Sequence, residues 1–114
     1  MQTYKVVLTW EAIYDIAEIA DYIEKEFGQD RADRFQLDIE KQIHDLSHFG
    51  KAFLQTHILY RGYYIHRKSI PPSIIFYVIA EQTHEIHVLR VLRHERDWQN
   101  ILARNSRYTY PVET

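Results

Sequence analysis

Two apolar runs near the end of the chain, Ser73-Ile-Ile-Phe-Tyr-Val-Ile79 and Ile86-His-Val-Leu-Arg-Val-Leu92, constrain its fold more than any other feature. Their apolar residues are consecutive rather than alternating, and many are β-branched or aromatic. They therefore read as central strands covered on at least one face. The polar stretch Glu81-Gln-Thr-His84 between them makes the two a hairpin. The second run ends in a burst of charge, with Arg90, Arg93, His94, Arg96 and Asp97 falling within eight residues. Burial fixes the position of such a strand, so the groups at its exit reach the rim of the sheet on a rigid support.

The first half supplies a cover for that sheet. Tyr4–Leu8 is a short β-prone run, and Thr9 sits as an N-cap with Glu11 favourable in the first turn. Ile13, Ile16, Ala17, Ala20, Ile23 and Phe27 then recur at helical spacing, and Gly28 stops the helix. Asp30 is placed to cap a second helix with Ala32, Phe35, Ile39, Ile43 and Leu46 as its stripe, ended by Phe49-Gly50. So short a link makes the pair an antiparallel hairpin. Beyond Gly50 the period falls towards two. His57–Tyr60 and Tyr63–His66 read as one interrupted strand or two short ones, with Arg61-Gly62 at the bend. Arg67–Pro72 reads as a connector in which two prolines stop the pairing. Asp97 opens a last short helix through about Ala103. The result is an α+β fold, β-α-α-β-β-β-α, with a helical hairpin packed on a small, largely antiparallel sheet. Residues 4–103 are expected to form a single domain and residues 104–114 a flexible C-terminal tail.

Composition narrows the function. A chain of 114 residues without cysteine has no disulfide framework, thiolate metal site or cysteine nucleophile. No stretch approaches the ~20 apolar residues of a membrane span, and no basic-then-apolar leader is visible, so a soluble, cytoplasmic protein with no membrane partner is expected. The net charge of −2 hides an asymmetry: residues 1–50 carry 5 Lys/Arg against 11 Asp/Glu, and residues 51–114 carry 9 against 5. An acidic helical face and a basic sheet face follow. The pI of about 6.4 lies below the values above 9 usual in dedicated nucleic-acid binders.

The element order, with Thr9, Ala12 and Asp15-Ile16 opening the first helix, Tyr22-Ile23 near its end, Ala32 and Phe35 in the next, Ile75-Phe-Tyr77, and Arg90-Val-Leu-Arg-His-Glu-Arg-Asp97, resembles the RelE/ParE superfamily of toxins from type II toxin–antitoxin systems. The resemblance covers residues 4–102 and implies a growth inhibitor held silent by a cognate antitoxin. It implies no cofactor and no metal. ParE-like members poison DNA gyrase, whereas RelE-like members are mRNA interferases that cut messenger RNA on the translating ribosome.

Metal-independent RNA cleavage needs a base for the 2′-hydroxyl, cations for the phosphorane and an acid for the leaving oxygen. The residue types available are His66, Arg67 and Lys68 from one strand end, and Arg90, Arg93 and His94 from another. The RelE-like pattern is incomplete, because Ser73 stands where those nucleases carry an arginine and Asn100 near where some carry a tyrosine. The ParE-like ending is matched by Arg90-Val-Leu92 and Arg96-Asp97, which makes a gyrase inhibitor the leading reading. A ribosome-dependent mRNA endoribonuclease is the alternative, and a degenerate, non-toxic antitoxin-binding module the second alternative. A binding surface for target or partner is expected from Arg61, Tyr63, Tyr64, Arg96 and Trp98, since Tyr, Trp and Arg favour interfaces. Plainer roles stand beside these. Asp97 reads as an N-cap, Arg90 as the partner of an acid in the hairpin, Trp98 as a lid on the core, and His94 as a surface histidine.

Overall fold

A computed structural model describes residues 3–112. The elements run β1 (Lys5–Leu8), α1 (Trp10–Phe27), α2 (Gln29–Phe49), a short 3₁₀ turn (Gly50–Ala52), β2 (Gln55–Tyr60), β3 (Tyr63–Ile70), β4 (Ser73–Ala80), β5 (Glu85–Arg93) and α3 (Trp98–Arg104). The five strands form one mixed sheet in the order β1-β5-β4-β3-β2, with β1 parallel to β5 and the other pairs antiparallel.

Thr9 does more than cap α1. Its Oγ1 accepts the N–H of Ala12 at 3.0 Å and donates to the Leu89 carbonyl at 2.8 Å, while its own N–H reaches the Val88 carbonyl at 3.1 Å. The start of α1 is thereby tied to the edge of β5 where β1 runs out. Gly28 alone joins the helices. Its φ of +97° favours glycine, and its N–H closes α1 on the Glu24 carbonyl at 2.9 Å. Gly28 also occupies the N-cap position of α2, with no side-chain capping bond. The expected cap at Asp30 is therefore corrected, because α2 begins at Gln29 and Asp30 lies inside its first turn.

The β2–β3 connection is a tight turn at Arg61 (φ +52°) and Gly62 (φ +84°), which settles the region as two strands. The connector expected over Arg67–Pro72 is also corrected. β3 continues to Ile70, with Arg67 facing Phe76 and Ile70 facing Ser73 across the ladder. Only Pro71-Pro72 turns the chain, in a two-residue link that leaves both prolines outside the ladder.

β4 is buried from Ser73 to Ile79, and the reason is a cover on both faces. Ile75, Tyr77, Val88 and Val91 pack against Ala12, Ile19, Ile39 and Leu46 of the helical hairpin. Ile65, Ile74, Phe76, Val78, Leu89 and Leu92 face the other way, onto Leu102 of α3 and Tyr108 beyond it. The second sheet face is thus apolar over its centre rather than basic, and its cations stand at the ends of the strands. Of the segment expected to be loose, residues 105–112 lie along the fold, and residues 113–114 fall outside the described residues. Tyr108 is 6% exposed and edge-on to Tyr60. The Thr109 carbonyl takes the Trp10 N–H at 2.8 Å, and its N–H and Oγ1 donate to Glu11 at 2.9 and 2.7 Å. Among the described residues, no helix is long and apolar enough to cross a membrane.

Candidate functional site

Side chains of a strand alternate between faces, so the cationic run His66-Arg67-Lys68 on β3 is split by the fold. His66 and Lys68 point under the helical hairpin, and each is only 8% exposed. The His66 ring stacks on Tyr77 at 5.2 Å, and its Nδ1 lies 3.1 Å from the Phe53 carbonyl. Lys68 Nζ donates to the Gln42 carbonyl at 3.3 Å and lies over the Phe53 ring. Burial pushes its ammonium below the ordinary lysine range, with Asp45 opposing. Arg67 points to the opposite face, its guanidinium 5.7 Å from the centre of the Trp98 ring.

β5 distributes its charges in the same way. A bulge at Leu89 shifts the register, so that Phe76 faces Arg90 and Tyr77 faces Val88. Arg90 turns to α1 and binds Asp15 through Nε at 2.6 Å and Nη2 at 2.9 Å. Burial pushes the Asp15 carboxyl up against the pull of Arg90, and the bond to Asp15 raises Arg90. Arg93 pairs with Glu95 at 2.7 Å and covers the Tyr22 ring at 4.1 Å. His94 leaves the strand with its N–H on the Pro72 carbonyl at 2.8 Å and its Nε2 3.0 Å from Ser69 Oγ.

The six residues expected to be catalytic therefore do not meet in one centre. Arg67 and His94 share a face at the β3–β4 end of the sheet. His66 and Lys68 lie beneath the hairpin on backbone carbonyls, while Arg90 and Arg93 each have a carboxylate. Ser73 is 1% exposed, and the Asn100 amide donates to Asp97 at 2.6 Å, so neither adds a group to this face. Asp97 occupies the N-cap position of α3 without a side-chain capping bond.

The expected binding residues also fall into separate groups. Arg61 lies over the Tyr60 ring at the β2–β3 turn, Tyr63 packs onto the second core, and Tyr64 is 50% exposed on the opposite face. Arg96 and Trp98 stand at the other end of β3, where Trp98 packs on Phe76 at 5.2 Å and is both core lid and partly open ring. Along β3, Tyr63 and Ser69 are about 20 Å apart at ~3.3 Å per residue.

One feature missed from the sequence is a groove of about 400 Å³ between the hairpin and the β3–β4 turn. Ile19, Tyr22, Phe27, Phe35 and Pro71-Pro72 line it, and its charged residues are Arg31, Arg34 and Arg93 with one acid, Asp38. Phe27, 56% exposed, marks its mouth. The sequence signal was an aromatic pair, Tyr22 and Phe27, beside arginines in an otherwise acidic half. Ser69 was also missed, although it alternates with Arg67. Among the described residues, no group of His, Asp or Glu is placed to hold a metal ion.

A family model described as the ParE toxin of the type II toxin–antitoxin system, parDE, matches residues 6–98. The fold is similar to the chromosomal ParDE toxin–antitoxin system from P. aeruginosa, at 20% identity over 82% of this chain and 98% of that one, with a TM-score of 0.68. It is also similar to the toxin–antitoxin complex RelBE2 from Mycobacterium tuberculosis, at 20% identity over 84% of this chain and 97% of that one, with a TM-score of 0.55. No curated protein matches. The two structural likenesses carry the fold, while the family match runs from β1 into the first residue of α3. The chain belongs to the ParE toxins of type II toxin–antitoxin systems, within the RelE/ParE superfamily.

Proposed function

We propose that this toxin acts on DNA gyrase by binding rather than by chemistry, and that a cognate antitoxin silences it. The observation that supports this reading is the dispersal of His66, Lys68, Arg90 and Arg93 away from His94. Two are buried on carbonyls and two are neutralised by Asp15 and Glu95. General acid–base cleavage needs its base, acid and phosphate clamp around one reacting atom. A binding toxin needs only a surface. The antitoxin's part falls to the groove, whose apolar lining and arginines suit an amphipathic segment carrying carboxylates. Purified protein is expected to stall gyrase supercoiling and leave RNA intact. Unchanged supercoiling at saturating protein refutes the reading, and expression that leaves growth unaffected favours a non-toxic antitoxin-binding module.

A second reading, ribosome-dependent mRNA cleavage, draws on one contact. Ser69 holds the His94 ring at 3.0 Å on the same face as Arg67, which leaves a proton-transfer group beside a cation. Mapping 5′ ends of a reporter message in reconstituted translation tests it. New ends confined to ribosome-occupied positions support cleavage, and an intact message excludes it.

A further inference from the structure

Away from the groove and from the β3–β4 end of the sheet, three titratable side chains lie in one hydrogen-bonded line. Glu85 and His87 are two residues apart on β5 and so share the second face of the sheet. His87 Nε2 lies 3.0 Å from Glu85 Oε1, and His87 Nδ1 lies 2.8 Å from the Tyr110 hydroxyl. The hydrogen bond from His87 holds the Glu85 carboxyl below its ordinary range against burial, so it is ionised at neutral pH. A carboxylate only accepts, so Nε2 carries the imidazole hydrogen and Nδ1 receives the one on Tyr110. A hydroxyl on a base, and that base on an orienting acid, is the order of groups that activates a nucleophile.

The base stands on a rigid support. His87 lies on a central strand, facing Val7 of β1 and Val78 of β4. Thr83 Oγ1 donates to Glu85 Oε1 at 3.3 Å. Tyr110 is carried in by the segment after α3, which Thr109 fastens to Trp10 and Glu11. The Tyr110 and His87 rings meet edge-on at 5.2 Å. Tyr110 is half-buried, and side-chain exposures of 22% for His87 and 30% for Glu85 leave the line open to a small molecule. Burial and the neighbouring Tyr60 push the Tyr110 phenol up, with the Arg61 guanidinium opposing. The phenol is therefore protonated at neutral pH and reacts only as a base receives its proton. Arg61, which lies over the Tyr60 ring, sets a cation near that oxygen for the negative charge of an acyl-transfer intermediate.

We propose that Glu85, His87 and Tyr110 form an acyl-accepting site, in which Tyr110 takes the acyl group of a small activated acyl donor. The Tyr110 oxygen bonds to the acyl carbon as its proton moves to His87 Nδ1. The bond from that carbon to the leaving oxygen then breaks, and the leaving group takes the proton from the imidazole. Glu85 is a positioning residue that fixes the tautomer. The site is independent of the gyrase reading, and Tyr110 lies beyond the residues 6–98 that match the ParE model. The ester removes the hydrogen that Tyr110 gives to His87 and so loosens the terminal segment from β5.

The probe is p-nitrophenyl acetate, with peptide mass mapping of the full chain after short exposure. The reference is Tyr14, a phenol that is 63% exposed and stacks on Trp10. Tyr110 is expected to label about tenfold faster than Tyr14 or more, with a normal solvent deuterium isotope effect. Its acetyl group is expected to leave with hydroxylamine, as an ester does and a lysine amide does not. His87→Gln keeps a hydrogen-bond partner for the phenol but no base, and is expected to bring Tyr110 down to the rate of Tyr14. Added imidazole is expected to restore Tyr110 relative to Tyr14, which a merely structural role does not explain. Glu85→Gln is expected to slow labelling severalfold. Labelling of Tyr110 no faster than Tyr14 in the wild type overturns the proposal. So does a His87→Gln variant that labels like the wild type, or an acetyl group found on His87 rather than on Tyr110.

Discussion

Asp15 of α1 receives Arg90 through both Nε and Nη2, and the same carboxylate takes the backbone N–H of Val91 at 3.0 Å. One side chain thus does for the upper half of β5 what β1 does for the lower half: it satisfies the open edge of the strand. The pair is largely withdrawn from water, with side-chain exposures of 17% for Arg90 and 9% for Asp15. Removing either partner strands a charge. Asp15→Ala and Arg90→Ala are each expected to cost about 3–5 kcal/mol in urea denaturation, and an Asp15→Leu/Arg90→Met pair is expected to recover much of that loss. Single variants as stable as the wild type contradict the assignment.

Glu11 holds the segment after α3 through Thr109. Burial raises the Glu11 pKa, but the hydrogen bonds from the Thr109 N–H and hydroxyl outweigh it and leave the carboxyl below its ordinary 4.5. A lowered folded pKa means that the contact contributes stability above pH 4.5 and loses it as pH falls through the folded value. The amide resonance of Thr109 is expected to titrate with a midpoint under 4.5 in the wild type and to lose that transition in Glu11→Gln. A midpoint at or above the ordinary value contradicts the sign.

Leu102 is 2% exposed and ties α3 to the second core with Phe76, Leu89 and Leu92. Leu102→Ala is expected to lower stability by about 2–5 kcal/mol, measured by thermal or urea unfolding. An effect below ~1 kcal/mol means that α3 detaches freely and that the second face is not a core.

The groove makes a separate prediction about the antitoxin. Arg31→Glu and Arg34→Glu reverse charge along the groove, the first also removing the guanidinium that lies over the Phe27 ring at 5.0 Å. Each is expected to weaken antitoxin capture severalfold, mainly through the association rate and more at low salt, with folding unchanged. Capture indifferent to both substitutions and to salt places the antitoxin elsewhere.

The elements were legible where one local rule decided them. Thr9 before a helical stripe, Gly28 after it, and the unbroken apolar runs of β4 and β5 all name their own structure. The end of β3 is not legible from its prolines, because Pro71-Pro72 needs only the turn itself and pairing continues to Ile70. The apolar second face followed from Leu102 and Tyr108, whose destination depends on tertiary docking rather than on any period in the sequence. The site was legible as a set of residue types and not as a centre. Three neighbours in sequence, His66, Arg67 and Lys68, become a pair beneath the hairpin and a single cation on the far side. Asp15 stood in the sequence as one acid among many, and only the bulge at Leu89 explains how Arg90 reaches it.

The parallel pairing of β1 with β5 sets Val6 beside Ile86. A chain leaving the ribosome therefore carries β1 without its partner until β5 has been made, about eighty residues later. The second core waits longer still, for Leu102 and Tyr108. Contacts so distant in sequence form late, and the domain folds as a unit once they are available. Whatever this molecule does to its target, it begins only after Leu102 and Tyr108 have emerged and docked.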